Sequence, residues 1–494
     1  MKRLTVIILL ALLVMVWGCD STKTENPDTT VDETYDTSDQ TPAMGTWNPD
    51  DFAHVIDVGP GRDYEEPTDV PWDELDESTL VRIYKRDTPY RSKWVITTAA
   101  SSENPLVITG VADGAELPII TGEDADTRSG LYYLNESRSV IKLGNYTGSG
   151  DTDIPSHVFI ENLDIRSGRP GYSFTDRYGA TQTYSTNAAA VHIEEGEAIT
   201  IRGCNLHDCG NGLFTSHFTR DILISGNHIH DNGIEGRIYE HNTYTESMGI
   251  TYEYNLLGPL REGCPGNNLK DRSAGTVIRY NWIESGNRQL DLVDTSYESF
   301  YTDPSYDETF VYGNILIEPD DAGNSQMIHY GGDSEDTTLY RRGTLYLYHN
   351  TIVSTRSGNT TLIRLSSNDV TADIRNNIIY TTESGSALAL TNGQGLLRLN
   401  TNWLKQGFRE THESSSTLII TENVRNITGT EPPFSDAEDK DYSLAAGSSC
   451  LNKASSLPSV FSAYPLNKQY VKHMGNTARA LLGPGPDIGA FEKE

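Results

Sequence analysis

A six-residue frame recurs along the chain, with one apolar position before and one after an Asn. Its order is apolar, two variable residues, Asn, one variable residue, apolar. The complete copies are Ile224–Ile229, Tyr252–Leu257, Ile278–Ile283, Val311–Leu316, Leu347–Ile352 and Ile374–Ile379. Two earlier copies, Ile160–Ile165 and Ile201–Leu206, carry Leu163 and Cys204 in the Asn position. Such internal repetition is typical of a stacked architecture.

Successive frames begin between 23 and 41 residues apart. This irregular spacing excludes a propeller or a leucine-rich horseshoe, and it fits a solenoid whose coils carry loops of variable length. At a bend between two strands, an Asn side chain can hydrogen-bond backbone groups and tolerate a left-handed conformation. When coils are stacked, such Asn residues pair with one another. The pattern therefore predicts an all-β solenoid of short parallel strands with an internal Asn ladder.

With these frames, the chain resembles the pectate-lyase-like superfamily over roughly residues 47–494. The resemblance implies a right-handed parallel β-helix. The ends of the chain agree with it. Val58–Gly61 is similar to the first turns of such proteins, and Asp487–Glu492 is similar to the close of many bacterial ones.

The N-terminus carries the pattern of an export signal. Lys2 and Arg3 precede the apolar run Val6–Val16, and Trp17-Gly18-Cys19 follows. A basic start, an apolar stretch of this length and a small residue before the cleavage point indicate a signal peptide rather than a membrane span. The run resembles a bacterial lipobox, which implies lipidation of Cys19. We expect an exported, membrane-anchored lipoprotein in the periplasm or at the cell surface, with a soluble secreted product as the alternative.

Composition then divides the chain. Residues 1–19 are the expected signal peptide with the lipobox Cys. Residues 20–46, rich in Ser, Thr, Asp, Glu and Pro, are an expected disordered acidic linker. Residues 47–150 are the expected N-terminal cap and first coils. Residues 151–405 form the central β-helix, and residues 406–494 contain the C-terminal coils and the closing segment.

The net charge of −32 argues against nucleic acid as a partner, because phosphates would be repelled. It does not exclude an anionic polysaccharide, since a local cationic site can outweigh a screened overall charge. Of the five cysteines, four remain after Cys19. One disulfide among them is compatible with an oxidising exterior, but the sequence does not assign the pair.

Candidate chemistry lies on strands just upstream of the Asn frames. Side chains alternate along a strand, so with the leucines inward one outer face collects one residue from each coil. These residues are His192, Phe214, Tyr244, Lys270, Asp291, His329 and Arg364. Arg272 points the same way as Lys270, while Glu240 and His241 precede Tyr244 at its edge. A shift of one residue in register would reverse every assignment.

Two cations beside an Asp and a His suggest β-elimination on a uronic-acid polysaccharide. That reaction needs a base for the proton next to the carboxylate, and cations to neutralise the carboxylate. We expect Lys270 to be the base, with Arg272 lowering its pKa. Arg272 or His329 would hold the carboxylate or protonate the leaving oxygen. The expected substrate-binding residues are Tyr244, His241, Asp291 and Arg364.

These residues resemble the site of Lys-based polysaccharide lyases built on β-helices, a group that includes chondroitinases and alginate lyases. The resemblance implies Lys270 as the base. That group places paired glutamates before the Lys as calcium ligands, whereas Gly263–Asn268 occupies this stretch here. Calcium stays a candidate cofactor, but its candidate ligands here are instead Glu240, Asp291 and Asp294, since calcium favours several oxygen ligands.

Two other functions remain open. A glycoside hydrolase needs two carboxylates across the scissile bond, and Asp291 and Asp294 are candidates. The chain lacks the Gly-His-Gly and Arg-Ile-Lys motifs of β-helix polygalacturonases. A non-catalytic glycan-binding or adhesin-type β-helix is the other alternative, because the chain is rich in Tyr and aromatic faces stack on sugars.

Overall fold

The computed structural model describes residues 47–147 and 154–493. The expected signal peptide, lipidated Cys19 and acidic linker lie outside these residues. The first seven strands are β1 (His54–Val58), β2 (Thr79–Tyr84), β3 (Ser92–Ile96), β4 (Leu106–Val111), β5 (Ile119–Thr121), β6 (Ala125–Thr127) and β7 (Ser139–Leu143).

The central part of the chain is built almost entirely of short strands. First come β8 (Val158–Glu161), β9 (Asp164–Arg166), β10 (Ser173–Thr175), β11 (Thr181–Thr183), β12 (Ala189–Glu197), β13 (Thr200–Arg202), β14 (Asn205–His207), β15 (Asn211–Ser225) and β16 (His228–His230). Next are β17 (Thr243–Thr245), β18 (Met248–Glu253), β19 (Leu256–Leu257), β20 (Leu269–Asp271), β21 (Ala274–Arg279), β22 (Trp282–Glu284), β23 (Leu290–Leu292), β24 (Glu308–Tyr312) and β25 (Ile315–Glu318). The series continues with β26 (Gln326–Tyr330), β27 (Thr344–Tyr348), β28 (Thr351–Ser354), β29 (Thr360–Leu365), β30 (Thr371–Arg375), β31 (Ile378–Thr381), β32 (Leu388–Thr391), β33 (Leu396–Asn400) and β34 (Trp403–Lys405).

The last coil and two antiparallel hairpins close the described chain. These strands are β35 (Arg409–Thr411), β36 (Ile419–Val424), β37 (Ile427–Gly429), β38 (Phe434–Asp436), β39 (Asp441–Leu444), β40 (Lys468–Val471) and β41 (Gly475–Ala478). Helical structure within the described residues is limited to α1 (Glu298–Tyr301) and short 3-10 turns at Pro49–Asp51, Pro67–Asp69, Glu136–Arg138, Pro304–Asp307, Gly385–Ala387 and Ser459–Ala463. None of these helices is long and apolar enough to cross a membrane.

Parallel strands stack coil on coil into three faces. Sheet A contains β3, β7, β12, the first part of β15, β17, β20, β23, β26, β29, β32 and β35. Sheet B contains β1, β2, β4, β8, β13, the last part of β15, β18, β21, β24, β27, β30, β33 and β36. Sheet C contains β5, β9, β14, β16, β19, β22, β25, β28, β31, β34 and β37. The architecture is the right-handed parallel β-helix that the sequence predicts.

Aliphatic side chains fill the interior of the coils. On sheet A, Leu269, Leu290, Ile328 and Ile363 are aligned in register, and each is fully buried. Their alternation with outward residues follows from the two-residue period of a strand. Burying this continuous column is the main stabilising contribution that one coil gains from the next.

The frame Asn residues lie at the bend from sheet B to sheet C, and hydrogen bonds link them from coil to coil. Asn281 Nδ2 donates to Asn314 Oδ1 at 2.9 Å, and Asn281 Oδ1 accepts from Asn255 Nδ2 at 2.9 Å. The row extends from Asn227 to Asn426, beyond the six frames. The left-handed residue is the one before each Asn, for example Tyr280 with φ 55°. The expectation that the Asn itself takes this conformation is therefore wrong.

The four described cysteines, Cys204, Cys209, Cys264 and Cys450, are free thiols. The disulfide that composition left open is therefore absent from the described residues. Cys204, which occupies the Asn position of its coil, is buried, and its backbone N–H donates to Asn227 Oδ1 at 2.9 Å. It thus ends the hydrogen-bonded row of Asn side chains at a coil where the Asn is missing.

Candidate functional site

One row of side chains crosses sheet A in continuous register. His192, Phe214, Tyr244, Lys270, Asp291, His329 and Arg364 lie directly opposite one another on successive strands from β12 to β29. This is the alignment expected from the sequence, because the residues next to each member of the row face the interior; they are aliphatic on most of the strands and Thr243 and Thr245 on β17. Most of the row is less exposed than a surface groove implies: 7% of Lys270 and 2% each of Asp291 and His329 are accessible.

Lys270 and Arg272 are joined by a carboxylate from a loop. Asp333, just after β26, accepts from Lys270 Nζ at 2.6 Å through Oδ2 and from Arg272 Nη2 at 2.8 Å through Oδ1. Lys270 Nζ also donates to Asp291 Oδ2 at 2.7 Å. Asp294 holds the loop in place, since its Oδ1 accepts from the backbone N–H of Asp333 at 2.7 Å. Asp333 therefore pairs with both cations, and Asp291 pairs with Lys270 as well.

This arrangement overturns the low pKa expected for Lys270. Burial and the neighbouring Arg272 act to lower its pKa, but the charges of Asp291 and Asp333 outweigh them, and the pKa is raised. Lys270 is accordingly an ammonium in this structure. A charged ammonium is suited to binding a carboxylate and cannot accept a proton.

Tyr244 and His241 line one side of the cation pair. Arg272 Nε donates to the Tyr244 hydroxyl oxygen at 3.1 Å, and the rings of His241 and Tyr244 meet edge to face at 5.4 Å. Burial, assisted by the charge of Lys270, lowers the pKa of His241 to about 3, so the ring is neutral. Its Nδ1 accepts from the backbone N–H of Asn267 at 2.9 Å, which places the ring proton on Nε2.

Asp291, His329 and Ser366 form a chain of hydrogen bonds on three neighbouring coils. Asp291 Oδ1 lies 2.8 Å from His329 Nδ1, and His329 Nε2 lies 2.8 Å from Ser366 Oγ. Both ring nitrogens of His329 are thus engaged within the protein. The expected roles of His329, holding a substrate carboxylate or protonating a leaving oxygen, do not fit this geometry.

The carboxylates proposed as calcium ligands do not assemble into a cage. Glu240 is paired with Arg237 at 3.1 Å, Asp291 with Lys270, and Asp294 Oδ1 lies 3.6 Å from Arg272 Nη1. No group of three or more His, Cys, Asp or Glu within residues 47–147 and 154–493 could hold a metal ion. These residues therefore do not fit calcium, because each candidate ligand already faces a cation.

Arg364 ends the row and differs from the other cations. Its side chain is exposed, and it makes no hydrogen bond or ion pair to the described part of the chain. Arg288, by contrast, is half-buried, donates to Gln326 Oε1 at 3.1 Å and lies 3.8 Å from Asp291 Oδ1. Arg364 is thus a cation available to an external anion beside His329.

Beside the charged row lies a line of contacting aromatic rings, Tyr146, Phe218, His217 and Tyr297, which we call the aromatic lane. Tyr146 and Phe218 stack at 3.9 Å between centroids, Phe218 meets His217 at 3.8 Å, and His217 stacks on Tyr297 at 3.5 Å. Tyr146 is 41% exposed and Phe218 is 36% exposed. Exposed aromatic faces of this kind suit the apolar faces of sugar rings.

Two site residues, Asp333 and Ser366, were missed in the sequence. Both lie just beyond a strand of sheet A, outside the alternation that aligns the row. A Gly-Gly pair precedes Asp333, and a Ser-Ser pair follows Leu365. Neither pattern indicates which coil the side chain reaches, because loop geometry is not periodic.

No family model and no curated protein matches the chain. Among solved structures, it is similar to an alginate lyase from Paenibacillus sp. str. FPU-7, with 8% identity, a TM-score of 0.43, and coverage of 76% of this chain and 99% of that one. It is also similar to pectate lyase Pel9A, with 8% identity, a TM-score of 0.46, and coverage of 90% and 97%. A GH136 lacto-N-biosidase from Eubacterium ramulus has 11% identity, a TM-score of 0.47, and coverage of 76% and 68%.

At these scores, the similarity assigns neither a reaction nor a residue role. The class of the protein follows from its own strands and side chains. It is a right-handed parallel β-helix with a charged row on one face and an aromatic lane beside it.

Proposed function

We propose that the protein binds a uronic-acid-containing polysaccharide along sheet A and cleaves it by β-elimination. The observation that carries this proposal is the position of Asp333. Its two carboxylate oxygens meet Lys270 Nζ at 2.6 Å and Arg272 Nη2 at 2.8 Å. The two cations are therefore spaced to receive a single carboxylate, and a uronate carboxylate would replace Asp333.

In β-elimination, negative charge spreads into the carboxylate when the neighbouring proton leaves. Lys270 and Arg272 would stabilise that charge, and they are held in position before the substrate arrives. Because Lys270 is an ammonium, we assign proton removal to the oxygen of Tyr244, which already accepts a hydrogen bond from Arg272 Nε. As this oxygen takes the proton next to the carboxylate, the hydroxyl proton of Tyr244 would pass to the glycosidic oxygen, whose bond to the sugar carbon breaks. The aromatic lane from Tyr146 to Tyr297 would support the sugar rings beside the cations.

The test is a panel of alginate, pectate and chondroitin with the full chain and its variants. A lyase gives an unsaturated product that absorbs in the ultraviolet. We expect Lys270→Ala and Arg272→Ala to lower turnover by about 100-fold or more and to weaken binding, since the carboxylate is bound in both ground and transition states. Lys453→Ala, at an exposed lysine, should change neither.

Two further variants separate the roles. Lys270→Arg should keep substantial binding, because a guanidinium also binds a carboxylate, whereas Tyr244→Phe should lose turnover and keep binding. Normal cleavage by both alanine variants would refute the site. Reducing ends without unsaturation would indicate a hydrolase, and retention without turnover would indicate a glycan-binding protein.

We also propose that the protein is exported and held at a membrane by lipid on Cys19. The basic start, apolar run and Trp17-Gly18-Cys19 sequence support this proposal. An enzyme acting on polymers too large to enter a cell has to meet its substrate outside the cytoplasm. The proposed location and activity are therefore consistent with each other.

A further inference from the structure

Three side chains from consecutive coils are connected in an order that suits nucleophilic catalysis. Asp291 on β23 lies opposite His329 on β26, and Ser366 directly follows β29. The distances are 2.8 Å from Asp291 Oδ1 to His329 Nδ1 and 2.8 Å from His329 Nε2 to Ser366 Oγ. A nucleophile hydrogen-bonded to a base, with the base oriented by a third group, is the arrangement that activates a serine hydroxyl.

The protons in this chain can be placed from the neighbouring groups. Burial acts to raise the pKa of Asp291, but the hydrogen bond from His329 and the charge of Lys270 outweigh it, and the pKa lies well below its ordinary value. Burial lowers the pKa of His329, so the imidazole is neutral. Its single proton must lie on Nδ1, facing the ionised carboxylate. Nε2 therefore carries the lone pair towards Ser366.

We propose that Ser366, His329 and Asp291 form a serine ester-hydrolase centre that removes acyl groups from sugar hydroxyls. Ser366 is half-buried, and its Oγ also accepts from the Gly332 backbone N–H at 3.0 Å. The Gly332 carbonyl oxygen, 3.0 Å from Oγ, is a more distant acceptor for the serine proton than His329 Nε2.

Arg364 is the candidate group for stabilising the oxyanion in this reaction. It stands two residues before Ser366 in the chain and opposite His329, and its side chain is exposed. A guanidinium beside the nucleophile can stabilise the oxyanion that forms when an ester carbonyl is attacked. That the acyl group is carried by an anionic polysaccharide rests on the proposed function, whereas the serine chemistry itself does not.

The reaction balances with water as the only co-reactant. Ser366 Oγ forms a bond to the carbonyl carbon of the ester as its proton moves to His329 Nε2. The tetrahedral intermediate then breaks its bond to the sugar oxygen, which takes that proton and leaves as the alcohol. Water attacks the acyl-serine, gives a proton to His329 and releases the carboxylic acid, with the proton returning to Ser366. Asp291 stabilises the imidazolium in both steps.

The test uses the full chain with a fluorophosphonate probe and with 4-nitrophenyl acetate, neither of which contains a uronate. We expect the probe to label Ser366, as read by peptide mass spectrometry, without the need for any variant. Ser366→Ala should lower ester hydrolysis by about 100-fold or more, and Asp291→Asn should lower it while the native far-ultraviolet spectrum is kept. Ser367→Ala, at the adjacent half-buried serine, is the matched control and should keep both label and rate.

Failure of this inference differs from failure of the proposed lyase. The serine centre would be overturned by labelling of another residue, by no labelling, or by equal ester hydrolysis by the wild type and Ser366→Ala. These outcomes do not depend on whether uronate polymers are cleaved. Labelled Ser366 in a protein that forms no unsaturated product would support the serine centre and refute the lyase. Release of acetate from an acetylated uronate polymer, lost in Ser366→Ala, would support the substrate class.

Discussion

The balance between burial and neighbouring charges sets the pKa of the buried side chains Lys270 and Glu318 in opposite ways. Lys270 and Glu318 are both buried, but they differ in what surrounds them. Two carboxylates around Lys270 outweigh its burial and raise its pKa, which keeps the ammonium. Glu318 is surrounded mainly by hydroxyl groups, from Thr360 at 2.8 Å and Ser354 at 3.0 Å, and Arg356 lies 3.8 Å away. Burial therefore dominates and raises the pKa of Glu318 to about 7.

The Glu318 carboxyl should make stability depend on pH. Because its folded pKa of about 7 exceeds the ordinary value of 4.5, its contribution is fully present below about pH 4.5 and is lost as pH rises through 7. Glu318→Gln removes this titration. Between pH 5 and pH 8, the wild type should therefore lose up to about 3 kcal/mol more of its free energy of unfolding than the variant does. Urea denaturation at the two pH values measures this difference.

Glu308→Gln, at an exposed carboxylate, is the matched control and should follow the wild type at both pH values. Parallel pH dependence of the wild type and Glu318→Gln would contradict the assignment. It would mean that the folded and unfolded states bind the Glu318 proton equally well.

At the scale of the coil, the bend between sheets B and C is built from two residues with separate tasks. The first takes a left-handed conformation, as at Tyr280 and His349, and turns the chain. The second, Asn281 or Asn350, connects the coils through its side-chain amide. A β-carbon makes the left-handed conformation costly, so the hydrogen bonds of the Asn stabilise a turn that is strained by itself.

Asn281 should be one of the most sensitive polar positions. Asn281→Ala leaves the backbone N–H and Nδ2 of Asn255 and the carbonyl oxygen of Tyr252 without their partner. We expect a loss of about 1 to 3 kcal/mol in the free energy of unfolding, measured by urea denaturation. Asn359→Ala, at an exposed loop position, should change it by less than about 0.5 kcal/mol. An equal effect at both positions would argue against the structural role of the Asn row.

The sequence predicted the strands of the site better than its loops. The two-residue period placed Tyr244, Lys270 and Asp291 opposite one another, because a strand that turns one residue inward must present its neighbour outward. Asp333 and Ser366 reach the same site from positions after a strand, where no period applies. The low pKa expected for Lys270 was wrong partly for the same reason. Of the two carboxylates that raise this pKa, Asp291 was aligned by the period, but Asp333 comes from such a loop.

At the scale of the whole molecule, the site places cationic side chains on a strongly acidic chain. The net charge is −32, but Arg364 is exposed beside a pair of cations that one loop carboxylate neutralises. Acidic surfaces keep anionic polymers at a distance, so a bound chain has to be held by local contacts. Higher salt should therefore screen both the general repulsion and the local attraction.

The proposed anchor can be tested on the whole protein. In a bacterial host, the wild type should be recovered with membranes and should carry acyl chains at Cys19 by mass spectrometry. Cys19→Ala should release the protein into a soluble exported fraction, because lipid on this residue would be its attachment. Cys450→Ala, at a buried cysteine within the fold, controls for loss of a thiol as such and should stay with the membranes. Recovery of the wild type and Cys19→Ala in the same soluble fraction would contradict the anchor.

The contact of Asp333 with Lys270 and Arg272 means that the site carries a tethered competitor. A ligand that brings one carboxylate has to outcompete a group held permanently at high effective concentration. A polymer can do so, because its neighbouring sugars add contacts that the tethered group lacks. A short fragment cannot, so the loop would return to its place as each fragment departs. The proposed lyase would thereby prefer long chains and resist inhibition by its own products.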